Sequence, residues 1–266
     1  MKIAVCVKQV PDSWAEKTMA GGVLDRAGVD AVLNDLDEYA VEEALRIVES
    51  HGGNGEGGAH SITIISMGPE RATDAARKAL SMGADSAIII SDLALAGSDA
   101  LATSKVLASV ITQEGFDLVI CGTESTDARM SVVPAMLAQR LGWASLTFAG
   151  ATQVDPNEAS VTITRDTEVG LEKIVATLPA VISVVEKINE PRYPSFKGIM
   201  AAKKKSMEVR DLASVGISAD AVGSAGAWSV VVDAQARPPR SVGIKVVDEG
   251  NAGNELVNFL AERKLI

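Results

Sequence analysis

Four short, nearly continuous apolar runs mark the first half of the chain: KIAVCVK (2–8), SITIISM (61–67), SAIIIS (86–91) and FDLVICG (116–122). Runs of this length without polar alternation are the signature of strands covered on both faces, as in a parallel sheet. A helical period fills the intervals. LDEYAVEEALRIVES (36–50) places Tyr39, Ala40, Ala44, Ile47 and Val48 on one stripe. PERATDAARKALSMGA (69–84) opens on a proline and an acid and stops at Gly83, and SDALATSKVLASVITQEG (98–115) opens on a Ser/Asp cap and stops at Gly115. The order β-α-β-α-β-α-β-α predicts an α/β fold with a doubly wound, mostly parallel sheet and right-handed crossovers. After residue 145 the pattern alternates instead, and SVTITRD and KIVATLPAVISVV predict a short antiparallel β segment turning near Val169-Gly170. HGGNGEGGAH (51–60) reads as a flexible connection. Beyond Lys187 the chain is proline-marked and poorly periodic until the helical pattern NELVNFLAERKL (254–265). An α/β domain over 1–187 and an extended C-terminal arm over 188–266 are therefore expected.

Composition narrows the function. The chain has 266 residues, 47% of them apolar, enough for a full core, and a formal net charge of −10. That charge argues against nucleic acid and membrane surfaces as partners and for small molecules and proteins. MKIAVCVKQV is too short an apolar run for a secretory segment, and no run reaches transmembrane length. Cys6 and Cys121, each inside an apolar strand, suit a reducing cytoplasm rather than a disulfide framework. His51 and His60 flank the glycine-rich stretch, so no histidine-built metal site is expected. Catalytic groupings are missing too: Ser125 and Ser131 have no histidine near them in sequence, neither cysteine has a C-x-x-C partner, and Asp35, Asp37 and Glu38 are spaced like a helix N-terminus.

One polar stretch invites a binding role. It follows FDLVICG, at the strand end where open α/β sheets bind ligands, yet it has neither a Walker lysine nor G-x-G-x-x-G. Pro134 lacks an N–H and belongs in the first turn of the next helix, which sets the helix start near 130–134. The amides of Ser131, Val132 and Val133 would then be unpaired at the positive end of a helix, suited to a phosphate oxygen, with the Ser131 hydroxyl as a further donor and Gly122 allowing close approach to a ribose. The same features also describe a capped helix that binds only water.

VCVKQVPD (5–12), LNDLDEYAVEEALR (33–46), ISMGPERATDAARKALSMGAD (65–85) and INEPRYPSFKGIMAAKKK (188–205) together resemble the β subunit of electron transfer flavoproteins, with similarity running through GIKV (243–246). The last of the four stretches is the most specific, being long, irregular and not demanded by core packing. The resemblance implies an adenine-nucleotide-binding (HUP-like) fold, a heterodimer whose α subunit holds most of an FAD, and a buried AMP in this chain. It implies AMP contacts at Cys6, Asn34, Met67, Gly122, Asp127, Ser131, Val132 and Val133. It also implies electron transfer from acyl-CoA dehydrogenases of fatty-acid β-oxidation to an electron transfer flavoprotein–quinone oxidoreductase, with Tyr193, Pro194, Phe196, Ile199 and Met200 forming the docking loop. Phe196 has the alternative of folding back into the arm, and Lys203, Lys204 and Lys205 are expected to steer acidic partners. VPDSW (10–14) could bring Ser13 or Trp14 to the flavin, or be an ordinary surface turn.

The chain departs from that family's pattern in two places. Val169 replaces a turn glycine, and a β-branched residue resists positive φ. Val132-Val133 replaces a Gln-Thr pair, which removes side-chain donors and keeps backbone amides. Two alternatives stay open: an electron-bifurcating relative with a second FAD in the β site, and a nucleotide-binding enzyme of the same fold. The latter would resemble an ATP pyrophosphatase, whose S-G-G-x-D-S after strand one is here KQVPDS.

Overall fold

A computed structural model describes residues 1–20, 23–55, 57–235, 237–240, 243, 245 and 247–266. Ile244 and Val246 of the GIKV stretch lie outside the described residues. The chain forms two compact units, Met1–Ala234 and Gln235–Ile266.

In chain order the strands are β1 (Lys2–Cys6), β2 (Gln9–Pro11), β3 (Met19–Ala20), β4 (Val23–Leu24), β5 (Ala31–Leu33), β6 (Ser61–Met67), β7 (Ser86–Ile90), β8 (Leu118–Gly122), β9 (Ala144–Ala149), β10 (Ala151–Asp155), β11 (Ser160–Thr167), β12 (Gly170–Thr177), β13 (Ala180–Val184) and β14 (Met207–Arg210). The helices are α1 (Asp35–Glu49), α2 (Thr73–Met82), α3 (Ala100–Glu114), α4 (Val133–Leu141), α5 (Phe196–Ala202), α6 (Gly223–Gly226) and, in the second unit, α7 (Ala252–Glu262). Among the described residues, no helix is long and apolar enough to cross a membrane.

Seven strands form one parallel sheet in the order β14-β7-β6-β1-β8-β13-β9. The apolar runs work as expected: alternate residues of β1 feed different cores. Ile3 and Val5 pack on the α1 and α2 side, while Ala4 and Cys6 pack on the α3 and α4 side. The helix stops also hold. Gly83 (φ 146°) and Gly115 (φ 67°) take backbone angles that side chains resist, and each ends its helix.

KIVATLPAVISVV does not act as one antiparallel segment. Lys173–Thr177 completes the small antiparallel sheet β10-β11-β12, whereas Ala180–Val184 becomes β13, enters the parallel sheet beside β8 and is buried throughout. Pro179, which cannot donate to a ladder, stands between the two. The turn at Val169 is rebuilt without strain. Gly170 (φ 134°) takes the positive angle, Thr167 Oγ1 donates to its carbonyl at 2.8 Å, and Val169 stays outside the left-handed region.

Residues 188–234 run back along the first unit, where β14 forms the sheet edge beside β7 and α5 packs on α2. Gly198 makes that crossing possible, since a Cβ there would stand 2.5 Å from the Ser81 carbonyl oxygen. Lys205 is not a free steering charge. Its Nζ donates to the carbonyls of Leu80 (3.2 Å), Gly83 (3.2 Å) and Ala84 (2.5 Å), closing the carboxyl end of α2, and burial draws its pKa down. Lys203 and Lys204 remain exposed.

Replacing Lys205 with Met keeps the stem and removes the ammonium. Unfolding free energy should fall by about 1–2 kcal/mol, read as a lower urea midpoint at unchanged slope. An unchanged midpoint would mean that water serves these carbonyls equally well.

Candidate functional site

From β1 the chain builds outward through β6 and β7, then crosses to β8 on the other side of β1. The carboxyl ends of β1 and β8 therefore frame the crevice where the strand order reverses, the ligand position of open α/β sheets. Cys6 and Cys121 are register partners there, both buried with free thiols. A hydrogen bond to Cys6, together with burial, pushes the Cys121 thiol up, so it is no nucleophile at neutral pH. Met67 ends β6 and packs partly buried against the same core.

Asn34 organises the loop after β8. Its side chain is fully buried, its Nδ2 donates to Asp37 Oδ1 (2.9 Å) and the Glu124 carbonyl (3.0 Å), and its Oδ1 accepts from the Thr126 amide (3.0 Å). It thus positions the loop. Gly122 has a packing reason different from ribose approach: a Cβ would lie 2.5 Å from Asp37 Oδ1 and 2.7 Å from the Leu36 carbonyl. Asp37 is wholly buried. Burial raises its pKa, opposed chiefly by Lys8, whose Nζ donates to Oδ1 at 2.9 Å.

The loop ends at α4, with Pro134 at its second position and Val132 as an N-cap that offers no side-chain hydrogen bond. Arg129 (φ 50°) and Ser131 (φ 55°) are both left-handed, a conformation that the surrounding fold must hold. The amides of Ser131, Val132 and Val133 meet no acceptor among the described residues. The Ser131 hydroxyl donates to Glu124 Oε2 at 3.1 Å, so its free donor capacity is less than expected. Asp127 has a side chain only 2% exposed, with Arg26 Nη2 2.5 Å from its Oδ2. Cys6, Met67, Gly122, Asp127 and Ser131–Val133 thus lie at strand ends or in the loop after β8, with Asn34 bonded to that loop. Sequence reasoning misses Arg26, because the two-residue strands of the hairpin before it are too short to read, and Glu124, because its contact with Ser131 depends on how the loop folds back.

The proposed docking segment is anchored at both ends. Arg192 donates from Nε to Glu42 Oε2 (2.7 Å) and from Nη1 to Glu49 Oε1 (2.6 Å), and Ala202 is buried. Between them Tyr193, Phe196, Ile199 and Met200 are exposed, Phe196 at 80%, and Pro194 is half-buried. Phe196, Ile199 and Met200 are spaced i, i+3, i+4 along α5, on one face. Arg192, likewise missed, could have been found only by knowing that α1 passes beneath it.

A cavity of about 440 Å³ is lined by Asp12, Ser13, Trp14, Leu33, Asp35, Glu38 and Lys78 among others, and by none of the residues expected to bind nucleotide. Burial pushes the Glu38 carboxyl up against the pull of Lys78. Ser13 Oγ donates to Asp35 Oδ2 at 3.3 Å and Trp14 is 96% exposed. No group of three or more His, Cys, Asp or Glu side chains among the described residues is arranged to hold a metal.

Comparison with known proteins matches residues 21–215 to the electron transfer flavoprotein domain family. The chain is 48% identical over 267 residues to the electron transfer flavoprotein subunit beta of Mycobacterium tuberculosis (strain ATCC 25618 / H37Rv), covering 99% of both chains. Against the Megasphaera elsdenii protein of the same description it is 34% identical over 271 residues, covering 99% of this chain and 97% of the other. It is also 34% identical over 255 residues to Protein FixA of Azotobacter vinelandii, covering 93% and 88%.

Gly122→Ala should cost about 1–3 kcal/mol of stability, the usual penalty of overpacking, because the methyl meets backbone; calorimetry of the variant checks this. Acid should loosen α5. The hydrogen bond from Arg192 holds the Glu49 carboxyl below its ordinary value of 4.5, so the Glu49 half of the anchor acts fully above that value and is lost as pH falls through the lower folded one. Hydrogen exchange, corrected for intrinsic rate, should show α5 amides losing protection below pH 4.5 before the β1 amides do.

Proposed function

Because the chain belongs to the electron transfer flavoprotein β-subunit family, we propose that it pairs with an α subunit that holds most of an FAD and itself binds AMP at the β1/β8 crevice. It is an electron-carrier subunit rather than an enzyme. Its donors on this reading are acyl-CoA and related dehydrogenases, and its acceptor is a membrane quinone oxidoreductase of the electron transfer flavoprotein type. The observation that carries the reading is the exposed stripe of Phe196, Ile199 and Met200 on a helix held down by Arg192, Gly198 and Lys205. An aromatic on an anchored element loses little entropy on docking, the usual form of an interface hot spot.

The unpartnered amides at the start of α4 support AMP as the ligand of the crevice. Ser131 to Val133 offer N–H groups at the positive end of α4 to a phosphate. Asn34 and Gly122 act one step back, holding the loop and the start of α1 in place. The flavin, when bound, supplies the electron chemistry. This chain contributes access control, and the exposed turn with Ser13 and Trp14 is its candidate approach to the ring. Exposed apolar Trp228, Val230 and Val232 in the first unit, and Leu256 and Val257 in α7, support an arm over 188–266 that orders against the α subunit.

Phe196→Ala should leave flavin and nucleotide content intact and raise the KM for a partner dehydrogenase by about ten-fold, the effect of losing a contact of about 1.4 kcal/mol. A variant that instead breaks the heterodimer, with normal transfer by what survives, would make Phe196 structural. Ser131→Asp should weaken nucleotide binding by about 1–3 kcal/mol through repulsion of the phosphate. Mass spectrometry of the nucleotide released from the heterodimer tests the ligand itself, and FAD in place of AMP at this site would select the bifurcating relative.

A further inference from the structure

We propose that Arg26 is a phosphate-binding residue of the β1/β8 crevice, positioned for that task by the buried carboxylate of Asp127. The inference rests on the nucleotide reading above and adds to it a residue that lies outside the loop after β8.

The loop has an electrostatic problem. The amino end of α4 contributes roughly half a positive charge, but the same loop carries Glu124 and Asp127, and the Asp127 side chain is only 2% exposed. A phosphate brought to the amides of Ser131, Val132 and Val133 would meet two carboxylates against half a unit of positive charge. A cation is needed. Among the described residues, two cationic side chains touch this loop. Arg129 is exposed and turns its Nε back towards the Thr126 carbonyl at 3.5 Å. Arg26 stands against Asp127, with Nη2 2.5 Å from Oδ2.

The contact between Arg26 and Asp127 is one of charge and not a directed fork. Neither Asp127 oxygen accepts a hydrogen bond of good geometry, although both are buried. A bidentate pair would use two parallel N–H groups of the guanidinium and fill the carboxylate. Here only Nη2 is engaged by Asp127, the other N–H groups remain available, and the Arg26 side chain is 55% exposed. Asp127 is therefore a counter-ion that draws the guanidinium to the loop through Nη2 alone and leaves its other donors free. Arginine suits that role because its planar fork can meet a carboxylate and a phosphate at once, which a lysine cannot reproduce.

The segment carrying Arg26 is held firmly. Asp25 Oδ1 accepts from the amides of Ala27 and Gly28, each at 2.9 Å. Arg71, just after β6, donates from Nη1 to the Ala27 carbonyl at 2.9 Å and from Nη2 to the Val29 carbonyl at 3.1 Å. The turn bearing Arg26 is thus tied to the sheet through Arg71, and Arg26 reaches the loop from a fixed base.

The test uses the heterodimer of this chain with its α subunit, freed of nucleotide by mild denaturant exchange and refolded with FAD. Calorimetry measures the binding of AMP and, separately, of adenosine, at low and high salt. For Arg26→Gln, AMP affinity should fall at least ten-fold, adenosine affinity should not change, and the salt dependence of AMP binding should shrink. Arg26→Lys should restore the salt dependence and only part of the affinity. If AMP and adenosine weaken together in Arg26→Gln, the residue merely holds the loop and the proposal is wrong. Unchanged AMP binding in that variant overturns it as well, while leaving the nucleotide reading in place. A wild-type heterodimer that binds neither AMP nor adenosine would remove the nucleotide reading and this proposal with it.

Discussion

The crevice depends on one buried amide. Asn34 sits at the entry to α1 and bonds both to Asp37 on its own helix and to the backbone of Glu124 and Thr126 in the loop after β8. A buried side chain that makes these bonds ties two crossovers together, and losing it would leave the Thr126 amide without its acceptor and the loop without its anchor. The same loop, held at Glu124 and Thr126 by that tie, goes on to carry the buried Asp127, the left-handed Ser131 and the free amides at the start of α4. Gly122 belongs to the same joint, since it alone lets α1 begin this close to β8.

The proposed docking helix obeys a different constraint. α5 must keep apolar side chains in water yet not move, and its fixings are accordingly polar and numerous. Arg192 reaches two carboxylates of α1, the Ser195 hydroxyl accepts from the Gly198 amide at 3.0 Å, and Lys205 closes the end of α2. Hydrogen bonds donated to Glu49 and Glu42 raise the Arg192 pKa, so its charge is permanent and the anchor responds to pH only through its acids. A carrier subunit needs this combination of rigid base and apolar tip more than it needs a catalytic group.

On the function proposed above, recognition in this chain is divided between two elements built on opposite principles. The loop after β8 offers backbone N–H groups and charge to a small anion, and its strain is held by buried polar contacts. α5 offers hydrocarbon to a protein surface and is held by ion pairs of the half-exposed Arg192 with the buried Glu42 and the exposed Glu49. Both are attached to α1, the first through Asn34 and Asp37 and the second through Glu42 and Glu49.

By itself, the sequence determined the central part of the parallel sheet, the four helices that follow β1, β6, β7 and β8, the start of α4 at Pro134 and the apolar tip at Phe196. Each is a local matter of periodicity, a cap or a proline. The split of KIVATLPAVISVV was not legible there, because Ile174, Val175 and Ala176 before Pro179 are as continuously apolar as Ala180–Val184 after it, and only the fold gives the two halves to different sheets. Only the tertiary structure decided which strands close the sheet edges, that Lys205 is tied to α2, that Gly122 faces Asp37 and that Arg26 meets Asp127. Those outcomes depend on partners far apart in the chain, such as Asn34 and Glu124, 90 positions distant, or Lys205 and Ala84, 121 distant. No local period encodes such a meeting; it exists once the sheet has brought the ends of separate strands to one edge.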